Sequence, residues 1–119
     1  ALLARAFELQ LLSLAGYAPQ LSQCTACAQP CRGMTLHFSS RLGGLLCANC
    51  AYQDANAIPI MRGSCELMKQ LQKSDLPHLT RLRASDLNHR ELKFVLSSFI
   101  AYHTERTLKS LEFIESLNA

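Results

Sequence analysis

Cys24-Thr25-Ala26-Cys27 and Cys47-Ala48-Asn49-Cys50 are two Cys-x-x-Cys pairs with residues 28–46 between them, and their reading decides the fold. Two such pairs at a separation of roughly 15 to 20 residues are the frame of a tetrahedral zinc site. Zinc takes four donors, with sulfur at about 2.3 Å, and two tight turns from neighbouring strands can supply two thiolates each. Six cysteines could instead form a disulfide framework, but no secretory segment precedes them and the chain has apolar residues enough for a core without staples. A thioredoxin-like redox pair needs a strand-to-helix setting, and neither pair sits in one.

The segment between the pairs reads as a zinc ribbon. Met34, Leu36 and Phe38 alternate with Thr35 and His37 at the period of a half-buried strand. Ser39, Ser40 and Gly43-Gly44 supply turn chemistry for a hairpin return, and Leu45 and Leu46 lead into the second pair. A unit this small has no core of its own, so metal binding supplies its folding free energy. Cys31 is a fifth sulfur donor, but a structural site takes four, and Cys31 follows Pro30 without a close partner; it is left out. His37 is expected to be an exposed strand residue. Cys65, just after the expected helix cap Ser64, reads as a buried or idle thiol. Four thiolates close the metal's coordination shell, leave no position for water and place two negative charges on the cluster. Such a site is structural rather than catalytic, and Arg32 and Arg41 roughly cancel its charge.

Around the ribbon the pattern is helical. A first helix is expected over residues 2–15, with Leu3, Phe7, Leu11 and Leu14 on one face and Leu2, Leu9 and Leu12 broadening it. Gly16 is placed for a left-handed stop and Pro19 forbids continuation. A helix this apolar is expected at the centre of the body. Ile58-Pro59-Ile60 is extended, because a residue before proline avoids the helical region. Ser64 is expected to cap a helix running to about Lys73, with Leu67, Met68 and Leu71 inward. Ser74 or Asp75 caps a short turn that tolerates Pro77. Ser85-Asp86 opens the longest helix, to about Thr107, with Leu92, Val95, Leu96, Phe99, Tyr102 and His103 inward. Ser110 marks a bend before Leu111, Phe113, Ile114 and Leu117. His89 and His103 stand alone and are not read as ligands.

With 119 residues, 49% of them hydrophobic and a formal charge of only +3, the chain supports one compact domain with a small insert. Disorder is excluded by the same figures. The richest apolar stretch, residues 1–18, carries Arg5, Glu8 and Gln10 and is too short to cross a membrane. It lacks the features of a signal peptide and begins in mid-helix pattern without Met, so the chain reads as part of something longer. Lys69, Lys73, His78, Arg81 and Arg83 stand against Asp75 in the one candidate basic patch. It is either a solvated face or a docking site for DNA or an acidic peptide, the latter only if the side chains converge. There is no Gly-rich phosphate loop, nucleophile elbow or HExxH motif, and nothing in the sequence points to an enzyme.

Three ordered motifs carry a resemblance over almost the whole chain. They are Phe7-Glu8-Leu9-Gln10-Leu11-Leu12 with Gly16-Tyr17-Ala18-Pro19, Leu21 and the first cysteine pair; Phe38-Ser39 with Gly43-Gly44-Leu45-Leu46 and the second pair; and Arg106-Thr107-Leu108-Lys109-Ser110-Leu111-Glu112-Phe113-Ile114. The chain resembles the C-terminal region of RecO, a family of bacterial recombination mediators. That resemblance implies an N-terminal OB-fold, absent here, followed by a helical domain with a zinc-finger insert. It implies work with RecR, and often RecF, to load RecA onto strands coated by single-stranded-DNA-binding protein, annealing of complementary strands, and docking of that coating protein's acidic tail. It also implies a cytoplasmic, nucleoid-associated setting. By motif, Cys24, Cys27, Cys47 and Cys50 take the metal role. The chain departs from the family at Ala28, where many members have Gly, and in its extra Cys31.

The expectation is therefore an all-α helical bundle, residues 1–21 and 52–119, carrying an inserted two-stranded zinc ribbon at 22–51 with one structural Zn²⁺. Partner or DNA contacts are expected at Lys69, Lys73, Arg81 and Arg83. The function expected is adhesion without turnover: displacing the coating protein and loading RecA, through RecR, the coating protein's tail and DNA, with no membrane. The alternative is a stand-alone nucleic-acid-binding zinc ribbon.

Overall fold

The computed structural model describes residues 2–118, apart from 74 and 80. In chain order the elements are α1 (Leu2–Leu14), β1 (Thr35–Ser39), β2 (Gly44–Leu46), β3 (Ile58–Met61), α2 (Arg62–Lys73), α3 (Leu76–Leu79) and α4 (Asp86–Leu117), with a 3₁₀ turn at Ala51–Gln53. The expected hairpin is present: β1 and β2 pair antiparallel, with Phe38 opposite Leu45. The body, however, is not helical throughout. The extended segment after the ribbon becomes a third strand, and β3 pairs antiparallel with β1, Leu36 opposite Ile60, giving the order β2-β1-β3. The proline that enforces extension, Pro59, sits on the edge strand, where its missing N–H costs no ladder bond.

One face of this sheet builds the main core. Leu36, Phe38, Leu45 and Ile60 lie in the same buried cluster as Ala6 and Leu9 of α1, Leu67, Met68 and Leu71 of α2, and Leu92, Val95, Leu96 and Phe99 of α4. The Phe38 and Phe99 rings meet edge to face at 5.5 Å, the favoured geometry for ring quadrupoles. A smaller cluster of Cys24, Leu46 and Cys50 lies at the cysteine end.

The helix ends follow local chemistry. Gly16 has φ +86°, and the Tyr17 and Gly16 N–H groups donate to the Leu12 and Ser13 carbonyls, a Schellman stop. At α4, Ser85 accepts from the Asn88 N–H while the Asn88 side chain accepts from the Ser85 N–H, a reciprocal cap. Asp75 accepts from the His78 N–H at the start of α3; Ser74, the other expected cap, lies outside the described residues.

Four expectations are corrected. Ser64 does not cap α2: the helix begins two residues earlier, and Ser64 is buried within it, donating to Glu91 Oε1 at 2.6 Å and accepting from Asn88 Nδ2. Ser110 makes no bend, and α4 runs unbroken to Leu117, because nothing there removes a backbone hydrogen bond. Tyr102 and His103 are half-buried rather than core, with His103 stacked on Tyr17 at 4.8 Å and edge-on to Phe99 at 4.4 Å. Finally, Leu3, Phe7, Leu11 and Leu14 are exposed; α1 buries the opposite side.

Candidate metal centre

The Cys24-x-x-Cys27 turn is set by backbone geometry. The Ala28 N–H donates to the Cys24 carbonyl and the Cys24 N–H to the Gln29 carbonyl, which closes the turn with Ala28 left-handed at φ +63°. The Thr25 N–H donates to the Leu45 carbonyl, so the first pair is tied to β2. The second pair follows β2 directly, with the Cys50 N–H on the Cys47 carbonyl. These bonds bring the Sγ atoms of Cys24, Cys27, Cys47 and Cys50 within 4.8 Å of one another. Cys27 and Cys47 are 3.8 Å apart, which matches the edge of a tetrahedron of sulfurs at 2.3 Å from its centre, about 3.8 Å. It is far beyond a disulfide bond of about 2.05 Å, and all six cysteines are free thiols.

The electrostatics suit a cation held among these sulfurs. Burial acts to raise the Cys24 thiol, but hydrogen bonds from the backbones of Cys47, Cys27 and Ala26 outweigh it and hold the thiol at about 6. Cys50 is pushed up to about 12 by burial first and then by the neighbouring sulfurs Cys47, Cys24 and Cys27. Several thiolates cannot share so small a space without a positive charge among them, so these four residues could hold a metal ion. Cys24 and Cys50 are buried, Cys47 half-buried and Cys27 exposed.

Cys31 is half-buried between the two clusters and does not belong to the group of four. Its thiol is raised by burial and by the negative charge of Cys24, Cys47 and Cys27. His37 is half-buried in β1 rather than exposed, and it too lies outside the group. Cys65 is buried, its thiol pushed up to about 12 by burial, as expected of an idle sulfur.

Of the basic residues, Lys69 and Lys73 come together with Gln70 and His78 around an open cleft of about 500 Å³, which Glu66 and Asp75 also line. Lys69 Nζ is paired with Glu66 at 3.3 Å. Arg81 and Arg83 are exposed but are not on the cleft wall.

Comparison with known proteins places these features. The family model described as "Recombination protein O C terminal" matches residues 1–112. The chain belongs to the RecO C-terminal family. It is 37% identical to the DNA repair protein RecO of Pelotomaculum thermopropionicum, over 96% of this chain and 44% of that protein. With that of Symbiobacterium thermophilum it is 36% identical, over 98% and 47%. With that of Desulforamulus reducens it is 34% identical, over 95% and 44%. The chain thus spans less than half the length of the curated relatives it matches. No solved structure matches it. Among the described residues, no helix is long and apolar enough to cross a membrane.

Two supports of this RecO C-terminal fold were missed in the sequence. Arg62 Nε donates to the Gly33 carbonyl at 2.6 Å and Nη2 to the Cys31 carbonyl, fastening the loop after the first cysteine pair to α2. Arg41 Nη2 donates to the Gln53 carbonyl beyond the second pair. Each is a lone arginine contacting backbone far away in sequence, and no local pattern marks it.

Proposed function

We propose that this chain is a non-enzymatic interaction domain of a recombination mediator, with one structural Zn²⁺ held by Cys24, Cys27, Cys47 and Cys50. The observation that carries the reading is the set of four sulfurs within 4.8 Å of one another, two of them at the 3.8 Å edge of a zinc tetrahedron. A closed thiolate shell supplies cross-linking and no open position for chemistry, and the metal joins β2 and its flanking turns into a rigid clip.

On this reading the helical body (residues 1–21 and 52–119) presents contact surfaces, and the 22–51 insert holds them in shape. The cleft between Lys69, Lys73 and His78 takes an acidic segment, the tail of single-stranded-DNA-binding protein. With RecR, the whole cytoplasmic protein displaces that coating protein, loads RecA and anneals strands, with DNA held chiefly by an N-terminal OB-fold. Membership of the family supports this role; the joint position of Lys69, Lys73 and His78 in one cleft supports the contact, with Lys73 the main free charge among the described residues because Glu66 already pairs with Lys69 and Asp75 shares the wall. Calorimetry with a synthetic acidic tail peptide and with RecR tests it. Micromolar binding of either is expected, and no binding of both contradicts it. Arg41 is already engaged by the Gln53 carbonyl, so among the described residues of the ribbon Arg32 is the arginine left to meet phosphates, which gives a stand-alone nucleic-acid-binding ribbon little to hold them with.

A further inference from the structure

Four of the six cysteines belong to the metal group, and Cys31 and Cys65 are left over. They stand far apart in the chain, one in the loop after the first cysteine pair and one in α2. Both nevertheless line a single cavity of about 190 Å³, walled by Leu36 and Leu45 from the sheet and by Arg62 from α2. Cys65 is buried in the main core, and Cys31 is half-buried against that same core.

The backbone holds the two residues in register. The Arg62 N–H donates to the Met34 carbonyl, and the Arg62 guanidinium donates to the carbonyls of Gly33 and Cys31. The loop that carries Cys31 is thereby fixed to the first turn of α2. Cys65 lies three residues after Arg62, a spacing that puts two side chains on one helix face. The bonds that hold Cys31 to Arg62 therefore hold it to the face on which Cys65 stands. The Cys65 thiol senses this neighbour: burial raises it most, and the charge of Cys31 adds to the rise while Arg62 opposes it.

We propose that Cys31 and Cys65 are a redox pair, which hydrogen peroxide converts to a disulfide that staples the ribbon to α2 without using the metal. Cys31, the more accessible of the two, reacts first. Its sulfur attacks the peroxide, the O–O bond breaks, and Cys31 becomes a sulfenic acid as one water leaves. The Cys65 sulfur then attacks the Cys31 sulfur. The S–S bond forms, the S–O bond breaks, and the hydroxyl leaves with the Cys65 proton as a second water. Two thiols are oxidised and one peroxide is reduced to two waters. The cavity gives both side chains room to turn toward each other. Burial raises both thiols, so neither is a ready nucleophile and the bond forms slowly.

The test treats the zinc-loaded chain with hydrogen peroxide and reads intact mass, peptide map and metal content. The expected result is a loss of two hydrogens, about 2 Da, with Cys31 and Cys65 in one linked peptide and the zinc retained. The Tm should rise by about 5 °C or more, because the bond closes a long loop in the unfolded chain, and should return to its starting value with dithiothreitol. Cys31→Ser and Cys65→Ala should each abolish the cross-link, and the peptide map of the unsubstituted chain decides the matter whether or not either variant folds. A link from Cys31 to any of the four metal cysteines overturns the proposal. Release of zinc ahead of the cross-link overturns it too, as does oxygen added at Cys31 with Cys65 still free.

Discussion

The Ser39 hydroxyl donates to Asp54 Oδ2 at 2.5 Å, and both residues are buried. This bond joins the end of β1 to the turn after the second cysteine pair, so it closes the ribbon by a contact that uses none of the sulfurs. The same hydroxyl accepts from the Leu42 N–H, and Asp54 Oδ1 accepts from the Asn56 N–H.

The Asp54 carboxyl lies below its ordinary value, chiefly because Ser39 donates to it; burial opposes this, and the Asn56 N–H and Arg41 assist. As pH falls, the unfolded chain takes up the proton first, near 3.9. The pair's contribution is therefore complete above about pH 4 and is lost as pH drops through the depressed native value. Ser39→Ala should cost about 1–3 kcal/mol at pH 7. Its deficit against the unsubstituted chain in urea unfolding should shrink towards pH 3. A deficit independent of pH would contradict this account.

Ala28 stands left-handed at φ +63°, a conformation that favours glycine. An L side chain there costs about 1–2 kcal/mol relative to glycine. Ala28→Gly should therefore stabilise the ribbon by about 1 kcal/mol after allowing for glycine's greater freedom when unfolded. Resistance to a competing chelator reads this directly and should increase.

Gly44 is needed for a different reason. A Cβ there would lie 2.3 Å from the Gln20 carbonyl oxygen, because residue 20 runs beside it, with the Leu45 N–H donating to that same carbonyl. Backbone cannot yield as a flexible side chain can. Gly44→Ala should cost roughly 1–3 kcal/mol or more, seen as a lower urea midpoint. Gly43→Ala, strained by φ +92° with open space around it, should cost about 1–2 kcal/mol.

Lys69 and Lys73 face one cleft and Arg81 and Arg83 do not. Replacing both lysines with Ala should weaken an acidic tail peptide about threefold to tenfold at low salt, an effect of exposed charges that fades as salt rises. Arg81→Ala with Arg83→Ala should change it less than twofold. The reverse ranking, measured by calorimetry, would move the contact off the cleft.

Much of this was legible in the sequence. The cysteine spacing, the alternation of Leu36 and Phe38, and the stops at Gly16 and Ser85 are all local signals, and each reports a local structure. What was not legible depended on partners far along the chain. Ile58-Pro59-Ile60 announces extension but not pairing with β1. Ser64 carries the signature of a cap, yet Glu91 and Asn88 of α4 claim its hydroxyl inside the helix. The stripe Leu3-Phe7-Leu11-Leu14 has helical periodicity, but periodicity cannot say which of two apolar faces these neighbours bury. Gly43-Gly44 reads as one turn, whereas Gly43 makes the turn and Gly44 makes room.

The most direct measurement is elemental analysis of the reduced, purified chain, alongside amide resonances of residues 24–50. The account predicts one zinc per chain, retained in Cys31→Ser and lost in Cys24→Ser, with the resonances of that segment collapsing when the metal is removed. A metal-free chain whose 24–50 resonances remain sharp and dispersed would contradict it.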